Sequence, residues 1–152
     1  MATDAYLPHI DVLLQALRVS RDRLDSRSKI AVDPRLFMKM MRQVIAALPF
    51  DEAFYLTTYD DVATAHGNGE IGDLHSHFIN AGFFEGRLGT DPSVDKDYYL
   101  RTYPDVRRAI GQGQIGSADE HFVQRGAAEG RSPNPESAAM IERWIAVLRP
   151  DG

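Results

Sequence analysis

The sequence predicts an all-α chain: two tandem short-helix repeats flanked by capping helices. Three observations carry this. The 39 residues from Asp51 align without a gap on the 39 from Asp95, 44 positions later, and 18 of the pairs are identical. Helix-start residues and glycines fall at matching places in both copies. Nowhere does a run of β-branched residues alternate with polar ones over the length of a strand.

Residues 1–48 read as an N-terminal helical hairpin. Ile10, Leu13, Leu14 and Leu17 fall at i, i+3, i+4 and i+7, one apolar stripe. Asp33-Pro34 is a cap followed by a first-turn proline. From there Phe37, Met40, Met41, Val44, Ile45 and Leu48 continue the helical spacing until Pro49.

Residues 49–90 form repeat 1 and residues 91–133 repeat 2. Their shared skeleton is D-x-x-(F/Y)-Y-L-x-T-Y-x-D-V-x-x-A-x-G-x-G-x-I-G-x-x-x-x-H-F-x-x-x-G-x-x-E-G-R. Asp95 can cap a first helix carrying Tyr98, Tyr99 and Leu100, and Pro104 followed by Asp105 starts a second that Gly111 stops. Ser117 with Glu120 three residues on has the spacing of a capping box. It opens a helix through His121 and Phe122 that Gly126 would end in a left-handed conformation. The first copy has Asp73 as this cap, but Ser76 stands where the reciprocal Glu would be, and Asp60 replaces the proline, predicting a looser start there. The expected core is Tyr55, Leu56, Val62, Ala65, Ile71 and Phe78, with Tyr99, Leu100, Val106, Ala109, Ile115 and Phe122.

Residues 134–152 read as a C-terminal capping helix. Asn134-Pro135-Glu136 opens it, and Ala138, Ile141, Trp144, Ile145 and Leu148 form its expected buried side. Two repeats alone leave exposed ends, which the flanking helices would cover.

Composition narrows the function classes. A chain of 152 residues can bury roughly 68–70% of its unfolded surface without staples. The absence of cysteine excludes a disulfide scaffold, a thiolate metal site and a cysteine nucleophile. No run approaches the roughly 20 apolar residues of a membrane span. The N-terminus lacks a basic region ahead of a cleavable apolar stretch, so synthesis in the cytoplasm without a signal peptide is expected. An extracellular or particle assembly is then a location reached after release. Residues 1–48 carry eight Lys/Arg against five Asp/Glu, net +3, and residues 49–152 carry nine against seventeen, net −8. The overall charge of −5 argues against nucleic acid. The basic stretch 18–29 is interrupted by Asp22 and Asp25 and has no interleaved aromatic to stack on bases. The unequal halves could attract each other within a chain or between subunits.

Few motifs point to chemistry. Segments 67–72 and 111–116 match G-x-G-x-x-G, but each follows a helix, whereas a dinucleotide fingerprint follows a strand. His75 and His77 lie two apart on a helix and so face different ways, and Asp119 replaces His75 in the second copy, arguing against a metal pair. Asp91, Asp95 and Asp97 do not match a calcium loop. No nucleophile elbow, H-E-x-x-H or phosphate-cradling lysine loop occurs. A small hydrolase would need a carboxylate pair in a pocket. The expectation is a non-enzyme without cofactor or metal.

The candidate site residues are those that recur. His77 and His121 read as buried imidazoles bonded to backbone or carboxylate, with a ligand contact as the alternative. Glu85 and Arg87 recur as Glu129 and Arg131. Arginine's planar fork suits Asp61 or Asp105, which would clamp the end of each unit to its middle. The alternative is that Arg87 and Arg131 hold acidic sugars while Tyr59 and Tyr103 offer faces to sugar rings.

The pattern Tyr98-Tyr99-Leu100 through Tyr103-Pro104-Asp105-Val106 and Ala109, with His121-Phe122, Gly126 and Glu129-Gly130-Arg131, resembles a short bacterial helical repeat. That repeat is common in alphaproteobacterial and related proteins, as a module appended to glycosyltransferases and in surface or adhesin-like chains. The resemblance implies a non-catalytic module working near bacterial polysaccharide, and no defined ligand site. A second resemblance, in arrangement alone, is to small head-spike components of phage-like gene-transfer particles, which engage cell-surface capsule. The expected partners are therefore bacterial polysaccharide or a polysaccharide-handling protein, for which this chain would be a cytoplasmic accessory subunit. Its apolar N-terminal stripes suggest a homo-oligomer joined through the N-terminal helices.

Overall fold

The computed structural model describes residues 6–149, and these contain nine α-helices and no strand. The chain is all-α, as its helical periods and caps require.

Helix α1 (Ile10–Leu17) is followed by a short 3-10 turn (Arg21–Asp25), and the Arg21 guanidinium pairs with Asp11 across the two. Only Leu14 of the first apolar stripe is buried. Helix α2 (Pro34–Ala46) starts where expected, with the Asp33 carboxylate accepting from the Arg35 N–H at 2.8 Å. Its stripe divides. Ile45 is buried and Met41 packs beside it against the first repeat, whereas Phe37 (52% exposed), Met40, Val44 and Leu48 face outward. Apolar residues occupy more than one face of α2, and the body covers one.

The two repeats carry the same elements at the same offset. Helices α3 (Glu52–Thr58), α4 (Asp60–Gly67) and α5 (Leu74–His77) lead into a π-helical turn (Phe78–Gly82). Helices α6 (Lys96–Thr102), α7 (Pro104–Gly111) and α8 (Ala118–His121) lead into its counterpart (Phe122–Gly126). Each unit ties its start to its end through one backbone bond: Asp51 N–H to the Gly89 carbonyl at 2.8 Å, and Asp95 N–H to the Pro133 carbonyl at 3.0 Å. The cores are Tyr55, Val62, Leu74 and Phe78, joined by Ile45, and Tyr99, Val106, Ala118 and Phe122. Leu56, Leu100, Ala65, Ala109, Ile71 and Ile115, expected inside, are half-buried.

The caps follow the sequence with two differences. Asp51, Asp73 and Asp95 each accept from the backbone N–H three residues on, at 3.0, 2.6 and 2.9 Å. Ser117 accepts from the Glu120 N–H at 3.1 Å, but the Glu120 carboxylate reaches past it to the Gly116 N–H at 3.0 Å, so the box is not reciprocal. Asp60 starts α4 at the offset where Pro104 starts α7, and both helices run eight residues, so the start is not looser.

Gly126 does not end its helix in a left-handed conformation. It lies in the π-helical turn, and a Cβ there would collide with the Tyr99 hydroxyl, as one at Gly82 would with Tyr55. The glycines of left-handed conformation that follow these turns are Gly86 (φ 84°) and Gly130 (φ 73°), four positions later.

Helix α9 (Pro135–Leu148) corrects the C-terminal expectation. Asn134 caps it through the Ser137 N–H at 2.8 Å and also donates to the Ser93 carbonyl at 3.0 Å, anchoring its first turn to the linker between units. Beyond that turn no element among the described residues buries it. Ala138 and Ile141 are half-buried, while Trp144 (68% exposed), Ile145 and Leu148 face outward, so no residue of α9 is buried.

Candidate functional site

The recurring polar residues converge within each unit. Helix α3 places the buried Tyr55 hydroxyl 3.0 Å from His77 Nδ1, and α6 places that of Tyr99 2.9 Å from His121 Nδ1. The histidines are thus bonded to a phenol, not to the backbone or carboxylate expected. Burial pushes both tyrosines' pKa values up to about 12. Burial also lowers the pKa of His121 from its ordinary value, which keeps that imidazole neutral at neutral pH.

Next to each pair is an arginine clamp. Arg87 bonds Asp61 through both Nη atoms, at 3.0 and 2.7 Å, and Glu85 through Nε at 3.0 Å. Arg131 bonds Asp105 at the same two distances and Glu129 at 2.6 Å. The fork-to-fork geometry draws the Asp105 pKa down to about 2 and lowers that of Asp61. Each guanidinium also lies over a tyrosine ring, Arg87 at 5.0 Å from the centroid of Tyr59 and Arg131 at 4.8 Å from that of Tyr103. Those tyrosines accept from the backbone beyond the clamp: Tyr59 from the Leu88 N–H at 2.7 Å, Tyr103 from the Ser132 N–H at 2.8 Å.

Tyr59, His77, Glu85 and Arg87, and likewise Tyr103, His121, Glu129 and Arg131, are therefore brought together in each unit. The arrangement pins the end of a unit to its second helix. One face of each outer tyrosine is covered by arginine, and each arginine is met by two carboxylates, so the clamp has no free cation for an acidic sugar.

The remaining motif residues separate. His75 stacks on Phe50 at 4.9 Å with 13° between the rings, while His77 turns to Tyr55, so the two histidines of the H-x-H pair diverge. Asp95 caps α6, and Asp91 accepts from the Ser93 N–H at 2.8 Å. In the glycine-rich loops, Gly69 and Gly113 take positive φ, and the loops join helices.

A cleft of about 510 Å³ opens between the units, and sequence reasoning did not foresee it. Phe54 and Tyr59 line one side, Asp91 the linker, and Asp119, Glu120 and Gln124 the other. An aromatic edge facing carboxylates and an amide can hold a ligand that is apolar on one face and hydroxylated on the other. Asp119 and Gln124 occupy positions where the copies differ, which hid them from a comparison that sought identity. Neither a family model, nor a curated protein, nor a solved structure matches this chain.

Proposed function

We propose that this protein is a non-catalytic recognition module for bacterial surface polysaccharide, acting as a structural component of a surface, spike or adhesin-like assembly. The inter-unit cleft supports this reading best. It is open enough to admit a chain from the side, and its Asp91, Asp119 and Glu120 carboxylates and Gln124 amide suit sugar hydroxyls across from the Phe54 ring. The recurring arginines, aspartates and glutamates are engaged in holding each unit together. Binding therefore falls to the surface between the units, and the favoured sugars are neutral ones, not uronates held by Arg87 and Arg131.

A microbial glycan array probed with the purified chain tests this. Retention on one or more polysaccharides, without release of reducing ends from them, is the expected result. No retention on any glycan contradicts recognition, and released reducing ends contradict the non-catalytic part.

The outward apolar residues of α2 and α9 favour a second reading, in which the chain is an accessory or assembly subunit that docks on a polysaccharide-handling protein or on its own copies. Replacing Phe37 and Trp144 together by serine should leave the unfolding free energy from urea denaturation unchanged within about 0.5 kcal/mol while abolishing association in light scattering. A parent chain that is monomeric throughout contradicts self-assembly.

A further inference from the structure

His121 as a whole is 5% exposed and bonds Tyr99 through Nδ1, while its other ring nitrogen makes no hydrogen bond among the described residues and is not fully buried, so it can meet a molecule from outside. The ring lines a hollow of about 330 Å³ together with the half-buried Ile115 and the side chains of Gln114, Gln124 and Arg125. The side chains of Gln114 and Arg125 are exposed and make no hydrogen bond among the described residues, so their donors remain available. Two carboxylates, Asp105 and Glu129, and two guanidiniums, Arg125 and Arg131, face the hollow, and their charges cancel around the neutral imidazole.

We propose that this hollow in the second repeat is a subsite for one neutral sugar residue, with His121 Nε2, Gln114 and Arg125 bonding its hydroxyls and Ile115 lying under its C–H face. The inference rests on the polysaccharide reading above and names its specificity element. Gln124 lines both the hollow and the inter-unit cleft, so the two adjoin. The first repeat has Glu70, Asn80 and Ala81 at the positions of Gln114, Gln124 and Arg125. It retains the histidine, Tyr55 bond and arginine clamp but lacks the cationic arm, which makes the subsite a property of the second repeat alone.

The experiment uses the full chain with dextran, galactan and chitooligosaccharide as neutral probes and alginate as the acidic one. It measures affinity by calorimetry and the His121 ring nitrogens by long-range nitrogen NMR. The expected result is binding of at least one neutral probe, a shift of the His121 Nε2 resonance on addition, and about tenfold weaker binding in Gln114→Ala and in Arg125→Ala. Both residues lie outside the clamp, so the variants should keep the parent's urea midpoint. A neutral probe that binds without moving His121, and binds both variants as it binds the parent, overturns the subsite while leaving polysaccharide recognition standing. Alginate binding more tightly than every neutral probe overturns the assignment to a neutral sugar. Failure of all four probes to bind overturns the recognition reading and the subsite with it.

Discussion

In the first unit Arg87 grips Asp61 and Glu85, and in the second Arg131 grips Asp105 and Glu129, with the paired Nη contacts at 3.0 and 2.7 Å in both. Around that common clamp the units part. The first fills its core with Leu74, Phe50 and Phe83 and receives Ile45 from α2, whereas the second has Ala118 and Ala127 at the places of Leu74 and Phe83. The second instead carries Arg125, Gln124 and Gln114 on its surface, where the first has Ala81, Asn80 and Glu70. Identity between the copies therefore marks the framework, and divergence marks what each copy does with it. One anchors α2, and the other presents a polar hollow.

The largest test of this contrast is truncation of the paired phenylalanines. Phe78→Ala and Phe122→Ala should each cost about 3–5 kcal/mol. The cost should be greater at Phe78, which packs on Phe50, Tyr55 and Phe83 with ring centroids at 5.4, 5.8 and 6.1 Å. Phe122 has one such aromatic neighbour, Tyr99 at 5.9 Å. Urea unfolding of the two variants measures the difference, and a costlier Phe122 would break the assignment of the heavier core to the first unit.

The glycine pair comes next. Gly82→Ala and Gly126→Ala each drive a methyl into a buried tyrosine hydroxyl and should cost about 1–3 kcal/mol, alike in both units. Tolerance at either site would show that the tyrosine–histidine pair is not held there by close packing.

A smaller effect lies in the acid limb of stability. Because the Arg131 bond depresses the Asp105 pKa to about 2 from 3.8, the contribution of Asp105 is complete above about pH 4 and disappears as pH falls through about 2. Asp105→Asn should flatten that limb, and Asp61→Asn, which breaks the same two contacts at the same distances, should flatten it too. Unfolding midpoints of both variants across this range check it.

The repeat, its caps and six of its buried positions, Tyr55, Val62 and Phe78 with Tyr99, Val106 and Phe122, were legible because each is a local pattern written twice, whereas the buried Leu74 and Ala118 differ between the copies and were not. Asp51, Asp73, Asp95 and Ser117 cap by three-residue geometry that spacing alone conveys. The Tyr99–His121 bond was not legible, since it joins residues 22 apart and either side chain could have found backbone instead. Gly126 was misread because glycine serves two physical ends, positive φ and close approach, and only the neighbouring hydroxyl distinguishes them. Helix α9 shows the limit of periodicity. The spacing of Ile141, Trp144, Ile145 and Leu148 marks a face that wants covering, but it does not say that this chain supplies the cover. The cleft and the hollow depend on Gln124 and Arg125, where comparison of the copies finds no identity to follow.

The central contrast is between a recurring arginine clamp that holds each unit together and divergent residues, Arg125 among them, that leave that framework untouched and are free to bind. It is tested most directly by the urea midpoint of Arg131→Gln measured beside that of Arg125→Gln. Arg131 is 20% exposed and meets Asp105, which is 60% exposed, so solvent weakens the clamp and the expected loss is about 1–2 kcal/mol. Arg125→Gln should unfold with the parent. Equal midpoints for the two variants, or a lower one for Arg125→Gln, would contradict the account.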